Sequence, residues 1–123
     1  DCYNANPSSV MSAIRSLAAM KGRRVCILGD MLELGENSGR LHYDIGAFAA
    51  KNGVSLVITS GPEAENICRG ARDCGCEARH YSGKEELLKE LPSLISPGDV
   101  VLVKASRGMA FEDIVEALKK LHN

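Results

Sequence analysis

The sequence predicts an α/β domain built on a mainly parallel sheet with helices on both faces, and three observations carry that prediction. Short runs of strand-forming residues recur along the chain, most of them apolar throughout, as strands buried on both faces are. Between these runs lie longer stretches whose apolar positions repeat at helical spacing. The two kinds of segment alternate without a low-complexity tract or linker, which favours crossover units over hairpins. At 123 residues the chain matches one compact domain. A chain of that size buries roughly two-thirds of the surface its unfolded form exposes, so it needs no disulfide or metal to stand.

The elements follow in order. After Asn6 and Pro7, apolar residues at Val10, Met11, Ile14, Leu17 and Ala18 mark a helix. Asn6 is a good N-cap, Pro7 suits a first turn whose N–H groups have no helical partner, and Lys21-Gly22 closes the helix. Arg24 to Leu28 reads as a buried strand ended by Gly29-Asp30. A helix from about Ser38 to Lys51 is expected to bury Leu41, Ile45 and Phe48, and Asn52-Gly53 ends it. Leu56 to Thr59 is the next strand, followed by the Ser60-Gly61-Pro62 turn and a helix carrying Ala64, Ile67, Cys68 and Ala71. Glu77 to Tyr81 is a weaker strand, after which Ser82 and Glu85 form a capping box for a helix with Leu87, Leu88, Leu91 and Leu94. Asp99 to Lys104 is the clearest strand. The last helix is expected to bury Ile114, Val115, Leu118 and Leu121, with Lys119 and Lys120 complementing its dipole. One helix and four strand–helix units thus give a three-layer, Rossmann-like arrangement.

Composition narrows the function. The 15 basic and 16 acidic residues nearly cancel, and aromatics make up 4%, so neither a phosphate-backbone track nor a base-stacking surface is expected and no nucleic-acid partner is assigned. No apolar stretch approaches the ~20 residues that cross a bilayer. An odd cysteine count, with Cys2, Cys26, Cys68, Cys74 and Cys76, suits reduced thiols in a cytoplasmic protein. Cys74 and Cys76 with His80 invite a zinc reading, but the spacing is CxC and no second pair follows, so no metal site is assigned.

In an open parallel sheet, ligands bind beyond the carboxyl ends of the strands. Unusual polar residues gather at those ends. Asp1, Asn4 and Asn6 would follow a strand ahead of the first helix; Gly29, Asp30 and Glu33 follow the first observed run; Ser60 and Gly61 follow the second; Lys104, Ser106 and Arg107 follow the last. The opposite edge has mainly Asn-Gly and Pro-Gly connectors. Lys104 and Arg107 can hold a carboxylate or phosphate, Arg107 in bidentate fashion. Asp1 and Asp30 can accept from sugar hydroxyls or orient a lysine, and Asn4 and Asn6 both donate and accept. Helix N-termini after Asn6 and after Gly108 add backbone donors for an anion.

Simpler readings stand beside these. Asp30 is a common residue for a strand-to-helix loop, His42 on an amphipathic helix suits packing, and Glu33 and Glu36 suit a solvated loop. Two cations directly after a buried strand serve no packing purpose, which singles out the Lys104–Arg107 turn. The sequence contains no GxxxxGK[ST] loop, GxGxxG fingerprint, GxSxG elbow or HExxH pair. It has the parts of half a site.

Three motifs resemble those of the Mur ligase family. Asp1-Cys2-Tyr3-Asn4-Ala5-Asn6-Pro7-Ser8-Ser9 is similar to D-[SC]-Y-N-A-N-P-x-S, and Leu28-Gly29-Asp30-Met31-Leu32-Glu33-Leu34-Gly35 to L-G-D-M-x-E-L-G with His42 beyond it. Val101-Leu102-Val103-Lys104-Ala105-Ser106-Arg107, with Glu112, is similar to V-L-V-K-G-S-R and its trailing Glu. Ala105 replaces the usual Gly, and Phe111 stands where Met is common. Asn4 to Pro7 favours the branch that adds D-Ala-D-Ala to UDP-MurNAc-tripeptide.

The resemblance implies that residues 1–123 are an excised C-terminal domain, with the N-terminal and central ATPase domains elsewhere and the isolated domain inactive. The family's ligases convert a terminal carboxylate to an acyl phosphate with ATP and Mg²⁺, both bound mainly by the central domain. An amine then attacks to form the amide. Lys104 and Arg107 are assigned to catalysis, Ser106, Asp30, Glu33 and His42 to substrate binding, and Asp1, Asn4 and Asn6 to the nucleotide side. A monomer is expected. The alternatives are another Mur-type amino-acid ligase, or a stand-alone α/β binding module such as a receiver or nucleotide sensor.

Overall fold

A computed structural model describes residues 5–121. Helices and strands alternate as α1 (Pro7–Ala18), β1 (Arg24–Gly29), α2 (Ser38–Lys51), β2 (Leu56–Ser60), α3 (Glu65–Asp73), β3 (Glu77–Tyr81), α4 (Lys84–Leu94), β4 (Val100–Lys104) and α5 (Glu112–Lys120). Single 3₁₀ turns at Gly35–Asn37 and Arg107–Met109 precede α2 and α5. The strands pair in the order β3-β2-β1-β4, all parallel. This is the α/β arrangement the alternation predicts.

The strand order follows from which face each helix covers. Along β1 the side chains alternate with the two-residue strand period. Cys26 and Leu28 enter a core with Val10, Ile14 and Leu17 of α1, Ile45 and Ala49 of α2, and Ile67 of α3. Val25 and Ile27 enter a second core with Leu87 and Leu91 of α4, Phe111, and Ile114 of α5. The chain steps from β1 to β2 to β3 with α2 and α3 on the first face. It then returns over the second face through α4 and lays β4 on the free side of β1.

Local chemistry explains most boundaries, and four features depart from the expected ones. Asn6 caps α1: its Oδ1 accepts from the Ser9 N–H at 2.9 Å, and Ser9 Oγ accepts from the Asn6 N–H at 3.1 Å. The box expected at Ser82 and Glu85 does not form. Gly83 is the N-cap of α4, so Ser82 lies one residue too early, and its hydroxyl donates to the Glu86 carboxylate instead. Gly22 does not close α1, which ends at Ala18. With φ at +115° it admits the Gly98 carbonyl, 2.8 Å from where a Cβ would sit. On α2 the buried face is His42, Ile45, Gly46 and Ala49, while Leu41 and Phe48 are half-buried. That face is turned because Gly46 and Gly70 let α2 and α3 touch backbone to backbone. On α5 only Ile114 is fully buried, while Val115, Leu118 and Leu121 are half-buried.

At the amino edge Arg23 grips Asp99 with two bonds of 3.1 and 2.9 Å and also donates to the Leu94 carbonyl at 2.6 Å. The pairing with Asp99 raises the Arg23 pKa and fixes the start of β4 beside the start of β1.

Burial pushes the Cys26 thiol up to about 12, and raises Cys68 and Cys76 as well; Tyr43 is raised by its hydrogen bond to Asp73 and Tyr81 by desolvation. Each group keeps its proton in the folded chain at pH values where the unfolded chain would release it. The unfolded state therefore binds fewer protons, and stability falls as pH rises above about 9. Chemical denaturation at pH 8 and pH 11 is expected to show a lower midpoint at the higher pH. At pH 8 a thiol-alkylating reagent should modify exposed Cys74 and leave Cys26 intact. An unchanged midpoint, or modification of Cys26 in the folded chain, would contradict this.

Candidate functional site

The carboxyl ends of β1, β2 and β4 lie side by side, because Leu28 pairs with Lys104 and Gly29 with Ser60. The start of α1 reaches the same rim. Its far end lies at the opposite edge, where Arg24 Nε donates to the Met20 carbonyl and Gly22 meets Gly98, and α1 packs along β4 and β1. The helix therefore runs antiparallel to the strands and brings Asn6 toward the rim.

Three loops are laced together there. Asp30, 5% exposed, accepts the Ala64 N–H on Oδ1 at 2.7 Å, and its carbonyl accepts the Ser106 N–H at 2.9 Å. Ser106 Oγ accepts the Leu32 N–H at 2.9 Å. These bonds tie the loop after β1 to the loops after β2 and β4. Gly61, at φ +115°, completes the junction: a Cβ there would collide with Asp30 and lie 2.9 Å from Met109 Cε.

His42 supports the first loop from behind. It is fully buried, accepts the Met31 N–H on Nε2 at 2.9 Å, and lies with Nδ1 2.7 Å from the Ser38 carbonyl. An acceptor at Nε2 and a carbonyl beside Nδ1 define the neutral ring protonated on Nδ1. Ser38 Oγ donates in turn to the Glu63 carboxylate at 2.6 Å.

The cations lie on the neighbouring loop. Lys104 is the last residue of β4 and is 9% exposed; Arg107 is exposed and opens the 3₁₀ turn. Glu33 is exposed and holds a left-handed backbone at φ +61°, a conformation unusual for a residue with a side chain. The two departures from the family pattern meet at one point. A Cβ on Gly29 would stand 2.9 Å from the Ala105 methyl and 2.7 Å from the Phe111 ring. The space beside that glycine is therefore filled by the larger residues this chain carries.

The rim thus joins Asn6, Asp30, Glu33, Ser106, Lys104 and Arg107 with His42 beneath them, while Asp1 and Asn4 lie outside the described residues. Asp30, Ser106 and His42 all bond to the protein's own backbone, so they set the shape of the rim. Asn6 has its Oδ1 engaged in capping, and the group it can offer a ligand is Nδ2. The donors expected after Gly108 do not open a helix: Ala110 is left-handed, and α5 starts at Glu112 with acidic residues in its first turn. Ser38, Glu63 and the Ala64 N–H escape a reading of the sequence, since ordinary loop residues carry no signal of a cross-loop partner. Cys76 donates to the Val54 carbonyl at 3.2 Å and His80 pairs with Thr59 at 2.7 Å. Among the described residues no three His, Cys, Asp or Glu side chains gather as a metal site.

Residues 1–107 match the family model of the Mur ligase glutamate ligase domain. The UDP-N-acetylmuramoyl-tripeptide–D-alanyl-D-alanine ligase of Bacillus subtilis is 38% identical over 122 residues, covering 96% of this chain and 27% of that protein. The ligase of the same name from Escherichia coli is 36% identical, covering 98% and 26%. Among solved structures, a MurF from Acinetobacter baumannii superposes with a TM-score of 0.86 at 30% identity, covering 98% of this chain and 27% of that one. The MurF ligase of Thermotoga maritima in complex with ADP superposes with a TM-score of 0.80, also at 30% identity and with the same coverage. The chain spans about a quarter of the length of these relatives.

Proposed function

Because the chain belongs to the Mur ligase family, whose glutamate ligase domain it carries, we propose that it is the C-terminal domain of an ATP-dependent ligase joining D-Ala-D-Ala to UDP-MurNAc-tripeptide. The observation that carries this reading is the lacing of two sequence-distant motifs at one rim. The Asp30–Ser106 and Leu32–Ser106 bonds join Leu28–Gly35 to Val101–Arg107. The relatives named above bear the same activity in their names, and one of the similar structures holds ADP. Peptidoglycan precursor synthesis in the cytoplasm is the setting this activity implies.

On this reading the rim is one wall of the reaction chamber, and the phosphate loop and Mg²⁺ belong to another domain of the same enzyme. The tripeptide carboxylate takes the γ-phosphoryl group of ATP, releasing ADP, and becomes an acyl phosphate; the dipeptide amine attacks its carbonyl carbon and gives up a proton, and the tetrahedral intermediate collapses to the amide with release of phosphate. Lys104 and Arg107 act on the negative charge of this sequence, at the phosphate or at the dipeptide carboxylate. Fixed cations at such a place stabilise developing charge without reorganising during the reaction. Ser106, Asp30 and His42 keep the loop bearing Lys104 and Arg107 in place, Glu33 lines the cleft, and Asn6 serves the nucleotide side, the role also assigned to Asp1 and Asn4. Closure of the domain over the central one excludes water and aligns the amine.

The test compares the chain alone with the complete enzyme. The chain alone is expected to release no ADP from ATP and to form no amide, whereas the complete enzyme does both when D-Ala-D-Ala is present. Ligation by the isolated chain, or a complete enzyme that ignores D-Ala-D-Ala and accepts a single amino acid, would refute the assignment.

A further inference from the structure

We propose that Lys84, on a helix outside all three rim motifs, is a positioning residue for the ligation reaction; this rests on the function proposed above. The turn bearing Lys104 and Arg107 is anchored at its entry by Ser106, whose backbone and hydroxyl bind the loop after β1. At its exit Ala110 closes the 3₁₀ turn in the left-handed conformation (φ +53°, ψ +46°), one residue before the buried Phe111. Lys84 adds a side-chain anchor at that exposed corner. Its Nζ donates to the Ala110 carbonyl at 3.0 Å and to Asp113 Oδ2 at 2.8 Å, bridging the end of the turn to the start of α5. The Ala110 N–H in turn donates to the Arg107 carbonyl at 3.1 Å, so the anchored residue is bonded directly to the one that carries the guanidinium.

The location of Lys84 argues that this bridge is its purpose. It is the first residue of α4, where the helix dipole disfavours a cation, and Glu85 and Glu86 follow with the favoured sign. It is half-buried and is not one of the fully buried residues of α4, which are Leu87 and Leu91. The Asp113 carboxylate is largely exposed, and an ion pair of that kind adds little to folding stability. A residue locally unfavourable and weakly stabilising, yet bonded to the turn bearing Arg107, fits positioning better than support of the fold.

The experiment is steady-state ligation by the complete enzyme carrying Lys84→Met, Lys84→Arg or Arg107→Ala, with thermal unfolding of each. Lys84→Met is expected to lower kcat roughly tenfold, as misplacement of a reacting group does, with KM for ATP within about twofold of the parent. Its unfolding midpoint should stay within about 3 °C of the parent, and Lys84→Arg should recover most of the rate. Parental kcat in Lys84→Met, a rate loss matched by a large fall in midpoint, or no recovery with Arg would each overturn the proposal. If Arg107→Ala is impaired while Lys84→Met is not, only the role of Lys84 fails. If Arg107→Ala is also fully active, the functional assignment of the turn fails with it.

Discussion

Arg107→Ala in the complete ligase is expected to lower turnover by two to three orders of magnitude, roughly the effect of removing one fixed donor from developing charge. The residue is exposed and sits in a 3₁₀ turn held by backbone bonds, from Met109 N to Ser106 O at 2.9 Å and from Ala110 N to Arg107 O at 3.1 Å. Truncating its side chain therefore removes a guanidinium without opening a cavity, and circular dichroism and the unfolding midpoint should match the parent. Lys104 requires a different substitution. It is nearly buried at the end of β4, so Lys104→Met keeps most of its volume while removing the charge. A similar loss of turnover is expected. Release of ADP coupled to dipeptide addition is the measurement, and near-parental rates in both variants would show that the turn does not serve the chemistry.

The largest effect on the fold is expected from Gly46→Ala. A Cβ at Gly46 would collide with the Ile67 carbonyl oxygen and stand 2.7 Å from the Ala71 nitrogen, both backbone atoms of α3. Gly70 makes the reciprocal approach, its missing Cβ leaving room for the Tyr43 carbonyl of α2. Neither helix can yield by rotating a side chain, so the two must separate and loosen the packing of Ile45, Ala49, Ile67 and Ala71. The gain in helix propensity from alanine, about 1 kcal/mol, is smaller than the expected packing loss of about 3 kcal/mol or more. Thermal unfolding of the isolated chain should show a midpoint lower by roughly 5–10 °C. An unchanged or higher midpoint would mean that the helices are not in backbone contact.

The same pair of glycines shows where sequence reasoning stops. The periodicity over Ser38–Lys51 gives a helix with the observed ends, but it predicts Leu41 and Phe48 as inward residues because they are large and apolar. Gly46 has no hydrophobic signal, and no pattern in the sequence reveals that Met31 and Ser38 satisfy both nitrogens of His42. Patterns of residue type report burial of apolar groups; close backbone approach and polar groups satisfied by backbone leave no periodic trace. For the same reason Ser82 and Glu85 imitate a capping box that the chain does not form, since a one-residue shift of the helix start is invisible in composition.

The rim was more legible than its internal wiring. Asp30, Ser106, Lys104 and Arg107 could be assigned to one edge because strand ends in a parallel sheet must share a rim. Which of them bond to one another depends on strand order, and that order came only with the structure: β4 lies beside β1 rather than beyond β3. Once that neighbour relation is fixed, the Asp30–Ser106 and Ser106–Leu32 bonds follow, and Ser106 is placed as a strut between loops.

Hydrogen exchange of the complete ligase, measured with and without D-Ala-D-Ala and a non-hydrolysable ATP analogue, puts the shared rim to the most direct test. Slower exchange should appear together in residues 30–36 and 105–110, while the amino-edge connectors at 20–23, 52–55 and 96–99 stay unchanged. Protection confined to the amino edge, or to only one of the two rim segments, would contradict a single chamber wall built from both.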